Sequence, residues 1–262
     1  MLLYLDYLPS LVIAMARIYP CAILVPAFCF QHIRGMPRHV IVMVVALMPA
    51  PGIHAALAGA DYSLLMIGAL VLKEAVLGLL LGVLLSMPFW LFESVGALLD
   101  NQRGALTGGQ INPSLGPDAT PIGHMFKQLA IFLLMVTLGL GVLTQVIWDS
   151  YLIWPPTAWW PVPAVNGFGE FLGLLGDTFM HMMLYAAPFI AVLLLLEFGV
   201  ALLSLYSPQL QVSSLAMPVK CLAGLAFLLL YLPLLQDLIM GRMSLLGDLK
   251  HSLGLMFQGA QP

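Results

Sequence analysis

Long apolar runs separated by short polar breaks occupy nearly the whole chain. Runs long enough to cross the roughly 30 Å hydrocarbon core of a bilayer lie at residues 8–30, 40–60, 64–92, 127–148, 171–203 and 212–235. The fifth run is long enough for a tilted helix or a helical hairpin. The pattern predicts an all-α, polytopic membrane protein of about six long hydrophobic helices or helical hairpins.

Prolines interrupt these predicted helices. Inside a helix, proline removes one backbone donor and strains the carbonyl four residues earlier. Kinked or broken helices are therefore expected, and in lipid the freed backbone groups need neighbouring protein or water. The prolines concerned are Pro20, Pro26, Pro88, Pro188, Pro218 and Pro233.

Composition supports a membrane location. Of the 262 residues, 61% are hydrophobic and 8% are charged, against roughly 25% charged residues in soluble domains. The apolar runs leave no room for a sizeable soluble domain, so we expect one membrane domain over residues 1–262. After the last run, a weakly amphipathic tail at about 237–262 is typical of an interfacial or partner-packing helix.

Charge and cysteine content exclude several kinds of partner. The net charge is −3 and the nine Lys and Arg residues are scattered, so no basic stripe suits nucleic acid. Cys21, Cys29 and Cys221 lie in apolar segments without the close Cys/His pairs of a zinc site, which favours buried free thiols. We expect no metal and no cofactor. The N-terminus has no basic segment of a cleavable signal, so the first run should stay attached.

Loop charges predict a topology that is not self-consistent. Lys and Arg favour cytoplasmic loops, so Arg34, Arg38 and Arg103 place their loops inside. The aromatic loop at 149–170, without Lys or Arg, is placed outside. Six spans would then leave both termini outside, although the tail carries two basic residues. Either one run does not span, or the helices sit in an assembly.

Several charged residues lie within the apolar runs, where each costs roughly 2.5–3.5 kcal/mol at mid-bilayer. Neighbouring helix positions diverge by about 100°, so Lys73 and Glu74 cannot both face one partner. The charged side chains could snorkel to the membrane interface or relay ions. We favour a third interpretation, in which they pair within a protein assembly. The candidates for inter-subunit or buried charges are Arg17, Lys73, Glu74, Glu197 and Lys220.

The stretch from Leu99 to Asp118 is the one long polar loop, rich in Gly and Pro. A loop of this length is usually functional or disordered, but turn residues alone would also suit an ordinary connector. No Ser/His/Asp, HExxH or GxxxxGK[ST] motif occurs in the chain. Gly78 and Gly82 form a GxxxG pattern, which permits close helix approach.

Three stretches together carry a family resemblance: KEAVLGLLLG at 73–82, DNQRG at 100–104 and SPQLQVSSLAMPVKCLAG at 207–224. In this order the chain resembles the T-type inner-membrane subunit of the type III secretion export apparatus, the SctT/YscT/SpaR family, whose flagellar counterpart is FliR. The resemblance covers essentially the whole length. The length and the aromatic outer loop favour the injectisome branch.

The resemblance implies a noncatalytic subunit of a protein-conducting gate. In that family one copy joins several R-type and S-type subunits in a helical hetero-oligomer, through which unfolded substrates pass. It also implies contact with the U-type switch protein, the large V-type gate protein and lipid, within the basal body in the bacterial inner membrane. A small-molecule or ion transporter and a membrane-embedded enzyme are the alternatives.

The resemblance also implies a role for the polar loop, placed at about 100–123. In the family this loop projects into the central pore and helps to close it as a plug. Asp100, Asn101 and Gln102 would be its hinge or anchor. The plug would comprise Arg103, Gly104, Ala105, Leu106, Thr107, Gly108, Gly109, Gln110, Ile111, Asn112, Pro113, Ser114, Leu115, Gly116 and Pro117.

Overall fold

The computed structural model describes most of the chain. The described residues are 2–30, 33, 35–58, 63–103, 120–158, 167–206 and 212–256, with the backbone alone at 2–6, 64 and 212–217. Within them the structure is helical, without a strand. The helices are α1 (Leu2–Leu24), α2 (Met36–Ala46), α3 (Ala50–Leu57), α4 (Leu64–Gln102), α5 (Pro121–Thr137), α6 (Gly141–Ile153), α7 (Gly167–Tyr206), α8 (Val212–Ser244) and α9 (Leu249–Met256).

Four helical stretches in the described residues are long and apolar enough to cross a membrane: Tyr7–Leu24, Leu65–Gln102, Gly167–Tyr206 and Pro218–Met256. Two helix pairs, α2 with α3 and α5 with α6, meet the same criterion when each pair is taken as one span. The pairs are bent by 62° and 82° respectively. The predicted all-α polytopic fold of about six hydrophobic elements is therefore confirmed.

The two bends have local causes in the sequence. Gly139 follows α5 with φ +71°, the left-handed conformation that only glycine adopts without a steric penalty. Pro49 and Pro51 lie at the start of α3, where proline cannot donate to the preceding turn. The second and fourth apolar runs are thus broken elements, whereas the fifth run is a single 40-residue helix.

The polar loop is bounded by helix on both sides. Helix α4 continues through Asp100, Asn101 and Gln102, and α5 begins at Pro121. Both helices therefore extend into the loop placed at about 100–123. Of the predicted plug, only Arg103 lies within the described residues; positions 104–117 lie outside them.

The chain divides into two compact units. The first comprises Met1–Met87, Leu138–Leu174 and Met243–Pro262. Its core includes a buried stripe of α1 with Ile13, Ala14, Ile18 and Cys21, each at most 2% exposed. Helix α9 packs on α6 in this unit and buries Leu249, Leu253 and Met256. The C-terminal tail is therefore a packed element of its own chain through Met256.

The second unit comprises Pro88–Thr137 and Leu175–Arg242. Its core is aromatic: Phe89, Phe92, Phe126 and Phe189 are at most 1% exposed. The rings of Phe189 and Tyr231 meet edge to face, with centroids 4.5 Å apart, a geometry that suits the ring quadrupoles. Phe92 also stacks on Tyr185, so ring contacts join α4 to α7 and α7 to α8 within the unit.

Candidate functional site: a buried ion cluster and the base of the polar loop

Arg17 is the centre of a buried polar cluster in the first unit. It is 1% exposed and its Nε donates to Glu74 Oε2 on α4 at 2.6 Å. Its Nη1 donates to Ser150 Oγ and its Nη2 to the Trp154 carbonyl, both at 3.0 Å. The guanidinium also lies 4.1 Å from the ring centroid of Tyr151, a cation–π distance. One cation therefore joins α1, α4, α6 and the residues that follow α6.

Lys73 extends this cluster at its edge. Its Nζ lies 3.0 Å from Glu74 Oε1 and donates to the carbonyls of Pro156 and Ala158 at 2.7 and 2.8 Å. Adjacent positions on α4 diverge by about 100°, but the long side chain of Lys73 still reaches Glu74. Lys73 therefore donates two hydrogen bonds to backbone carbonyls and forms an ion pair with Glu74. It fixes the start of the aromatic loop against α4.

Two glycines allow α1 and α4 to approach closely enough for this cluster. A Cβ built on Gly78 would collide with the carbonyl oxygen of Arg17, and one on Gly82 would lie 3.0 Å from Cys21 Cα. The GxxxG pattern thus lies at a helix contact, as small residues do in membrane proteins. The Arg17 backbone is held where its side chain reaches Glu74.

Asp100 joins the two ends of the polar loop in the second unit. It is fully buried, and its Oδ1 accepts a hydrogen bond from Arg103 Nη2. Its Oδ2 accepts one from the backbone N–H of Ile122 at 2.7 Å. The first N–H groups of a helix have no partner within the helix. Asp100 supplies a hydrogen-bond acceptor to such an N–H group of α5, from the other side of the loop. A carboxylate at the start of a helix is also favoured by the helix dipole.

Close backbone packing continues from this point along α4 and α5. A Cβ built on Gly96 would lie 2.6 Å from Gly123 Cα, and one on Gly123 would lie 2.8 Å from the Glu93 carbonyl oxygen. One turn further on, Lys127 Nζ donates to Glu93 Oε1 at 2.6 Å. We call residues 93–103 and 120–127 the stem of the polar loop.

Helix α8 contacts the stem at Arg103. The thiol of Cys221 donates to the Arg103 carbonyl with a 3.8 Å sulfur–oxygen distance. A Cβ on Gly224 would lie 3.0 Å from Arg103 Cδ. Arg103 is 8% exposed, and within the described residues its buried Nε has no hydrogen-bond partner. The first residue of the predicted plug is therefore packed, by its side chain and its carbonyl, into the stem.

The remaining two predicted charges pair with each other. Lys220 Nζ lies 2.8 Å from Glu197 Oε2, with side-chain exposures of 15% and 56%. The structure therefore pairs Glu197 with Lys220, and Glu74 with Arg17 and Lys73. Whether any of the five charges also contacts another subunit stays a prediction.

Sequence reasoning missed several members of these clusters. Ser150, Tyr151 and Trp154 were seen only as part of an aromatic loop, although all three surround Arg17. Asp177 and Tyr185 on α7 both bond Arg242, at 2.6 Å and 3.3 Å, and no motif marked them. The aromatic composition of the 149–170 loop was the one available signal. Among the described residues no group of three His, Cys, Asp or Glu side chains suits a metal ion.

Comparisons with known proteins agree on one family. A family model described as "Bacterial export proteins, family 1" matches residues 8–246. The chain is 31% identical over 217 residues to the Yop proteins translocation protein T of Yersinia pestis, covering 82% of each chain. It is 30% identical over 229 residues to the surface presentation of antigens protein SpaR of Salmonella typhimurium, covering 87% of this chain and 85% of the relative. The flagellar biosynthetic protein FliR of Caulobacter vibrioides is 24% identical over 226 residues, covering 86% and 88%.

Proposed function

The chain belongs to family 1 of the bacterial export proteins, and on this premise we propose that it is a noncatalytic structural and gating subunit of a type III secretion export gate. With R-type and S-type subunits it forms the entry pore for unfolded substrates in the bacterial inner membrane. The U-type switch protein and the V-type gate protein lie next to it. Greater identity to the translocation protein T, at 31%, than to FliR, at 24%, favours the injectisome branch.

The buried ion cluster supports a structural role for this subunit. Arg17 and Glu74 are 1% and 0% exposed, and their charges are taken up by each other, by Lys73, Ser150 and a backbone carbonyl. A buried network in which Arg17 bonds Glu74, Ser150 and the Trp154 carbonyl favours one arrangement of the helices that carry these residues. Energy for export then comes from a separate ATPase or from the proton gradient.

The loop beyond the stem closes the pore in this proposal. The observation that carries this step is the pair of hydrogen bonds that the Asp100 carboxylate accepts. One comes from Arg103 on one side of the loop and the other from the Ile122 N–H on the other side. Both ends of the loop are thereby held at one place, so Asp100 acts as an anchor and not as a hinge.

Helix α7 offers a surface for the partner subunits. Glu197 is exposed beside the exposed side chains of Leu194, Leu195 and Phe198. A carboxylate on an apolar face is costly in lipid, and Lys220 covers one of its oxygens. We place a partner helix with a hydrogen-bond donor or a cation at this face.

The first test is the native mass of the assembly. The chain is coexpressed with the R-type and S-type subunits of its own operon and extracted in mild detergent. A discrete large particle with one copy of this chain is expected. A monomer or a small homo-oligomer, with the partners well expressed, would contradict membership of a gate.

The loop is tested separately by deleting Gly108 to Leu115. The complex should still assemble, because the stem contacts are untouched, but membranes containing it should leak small solutes. A matched variant replaces the same residues by an equally long Gly/Ser segment, which separates loss of loop length from loss of sequence. A tight membrane with the deletion would contradict the plug while leaving the gate assignment intact.

A further inference from the structure

A groove separates α3 from α6 in the first unit. On each side, lining residues recur at the spacing i, i+3, i+4 and i+7, beginning at Pro49 just before α3 and at Gln145 on α6, and Tyr151 of α6 also lines the groove. This spacing places each set on one helix face. The volume of the groove is about 490 Å³, within the range of about 300–1,000 Å³ that is usual for small-molecule sites.

The two walls of the groove differ in chemistry. The α3 wall is apolar and includes Gly52 and Ala56, whereas the α6 wall presents Trp148 and Asp149. Asp149 is 7% exposed and accepts a hydrogen bond from Gln145 Nε2 at 3.2 Å. Its second oxygen lies 3.3 Å from Nζ of Lys250, whose side chain is 55% exposed. The α6 wall of the groove therefore carries a carboxylate that forms an ion pair with Lys250 on α9.

The surroundings select a lipid as the occupant. Helices α2 and α3 together are long and apolar enough to form one broken span, so the groove lies beside a candidate membrane segment. An acyl chain suits the apolar wall better than water does. At Asp149 and Lys250, a headgroup with one anion and one N–H cation matches both charges. Phosphatidylglycerol offers Asp149 only neutral hydroxyl donors and no cation, and the quaternary ammonium of phosphatidylcholine has no N–H.

We propose that this groove binds one phosphatidylethanolamine molecule, with an acyl chain between α3 and α6. Its phosphate pairs with Lys250 and its ammonium donates to Asp149. The bound lipid fills the space between the two helices and replaces part of the Asp149–Lys250 pair by two charge-assisted contacts. This site is independent of the export role proposed above.

The test uses Trp148 as a reporter inside the groove. The full chain is placed in nanodiscs that contain a small fraction of phosphatidylethanolamine, phosphatidylcholine or phosphatidylglycerol with brominated acyl chains, which quench indole fluorescence on contact. The signal of Trp148 is the difference between the wild-type protein and Trp148→Phe. We expect brominated phosphatidylethanolamine to quench this signal with about tenfold higher apparent affinity than the other two, as one added charged hydrogen bond predicts.

Two variants separate the acyl and headgroup contacts. A Cβ at Gly52 meets nothing within 4 Å, so Gly52→Leu should fill the groove and abolish quenching of Trp148. Gly68→Leu, at an equally open helix position, should leave it unchanged. Asp149→Asn keeps the shape but should remove the preference for phosphatidylethanolamine over phosphatidylcholine.

Three results would overturn the proposal. Equal quenching by the three lipids would show ordinary annular contact, and absence of quenching by any lipid would show that protein covers the groove. An unchanged headgroup preference in Asp149→Asn would remove the charge argument, even if Gly52→Leu failed to fold.

Discussion

Glu74 meets Arg17 through an Nε–Oε2 contact of 2.6 Å in which the side chains are 0% and 2% exposed. A buried charge that loses its partner keeps its desolvation cost. Replacing both members of a buried pair by apolar residues, in contrast, often leaves the stability of the protein unchanged. The contact between these two residues therefore makes α1 and α4 interdependent. Lys73 adds a second cation beside the same carboxylate.

Glu74→Leu should destabilise the protein strongly. Arg17 and Lys73 would lose their common anion, and breaking one side of a buried pair typically costs about 3–5 kcal/mol. We expect a clear fall in the melting temperature of the detergent-purified chain, and less protein in the membrane. The double variant Arg17→Met with Glu74→Leu should recover most of the loss. A double variant no more stable than Glu74→Leu would contradict the pairing as the cause.

Gly78→Ala tests the close approach of α1 and α4. The added methyl group would collide with the Arg17 carbonyl, which is backbone and cannot rotate away, so a cost of about 1–3 kcal/mol is expected. Gly68→Ala lies on the same helix in open space and should be neutral or stabilising by up to about 1 kcal/mol. Equal melting temperatures for the two variants would show that the helices separate without cost.

The sequence predicted the number and position of the apolar elements because hydrophobic run length determines what can cross a bilayer. It did not locate the bends, since a run such as 127–148 is apolar on both sides of Gly139. Gly139, with its left-handed φ, lies in the break between α5 and α6.

The charged residues show the same limit. Their positions in apolar runs identified Arg17, Glu74 and Lys220 as groups that need partners. Which partners they have depends on contacts between distant segments, such as Arg17 with Ser150, 133 positions apart. The helix period also predicted that Lys73 and Glu74 face different partners. This prediction did not allow for the length of the lysine side chain, which reaches Glu74.

Gly123→Ala should disturb the stem of the polar loop. Its methyl group would lie 2.8 Å from the Glu93 carbonyl oxygen, forcing α5 away from α4 and weakening the bond between Asp100 and the Ile122 N–H. If the loop seals the pore, complexes with this variant should assemble and leak ions. Gly176→Ala, at an open position on α7, is the matched control. Membranes as tight as those of the control would argue that the seal does not depend on the stem.

Exchanging the charges of Glu197 and Lys220 separates an internal pair from a contact with a partner. Each single reversal, Glu197→Lys or Lys220→Glu, places two like charges beside each other in an apolar region. Both the melting temperature of the chain and the yield of the complex should fall, although partial exposure of Glu197 limits the intrinsic worth of the pair to about 1 kcal/mol.

The double exchange restores the internal pair, so the melting temperature of the isolated chain should return to that of the wild type. A donor or cation on a partner helix would then face a lysine in place of a carboxylate, which repels it. We therefore expect the yield of the complex to remain low. Recovery of both the melting temperature and the yield of the complex would show that the pair stabilises this chain alone. Within the chain, the exchanged charges form the same ion pair. Only a contact with a partner distinguishes the exchanged pair from Glu197 with Lys220.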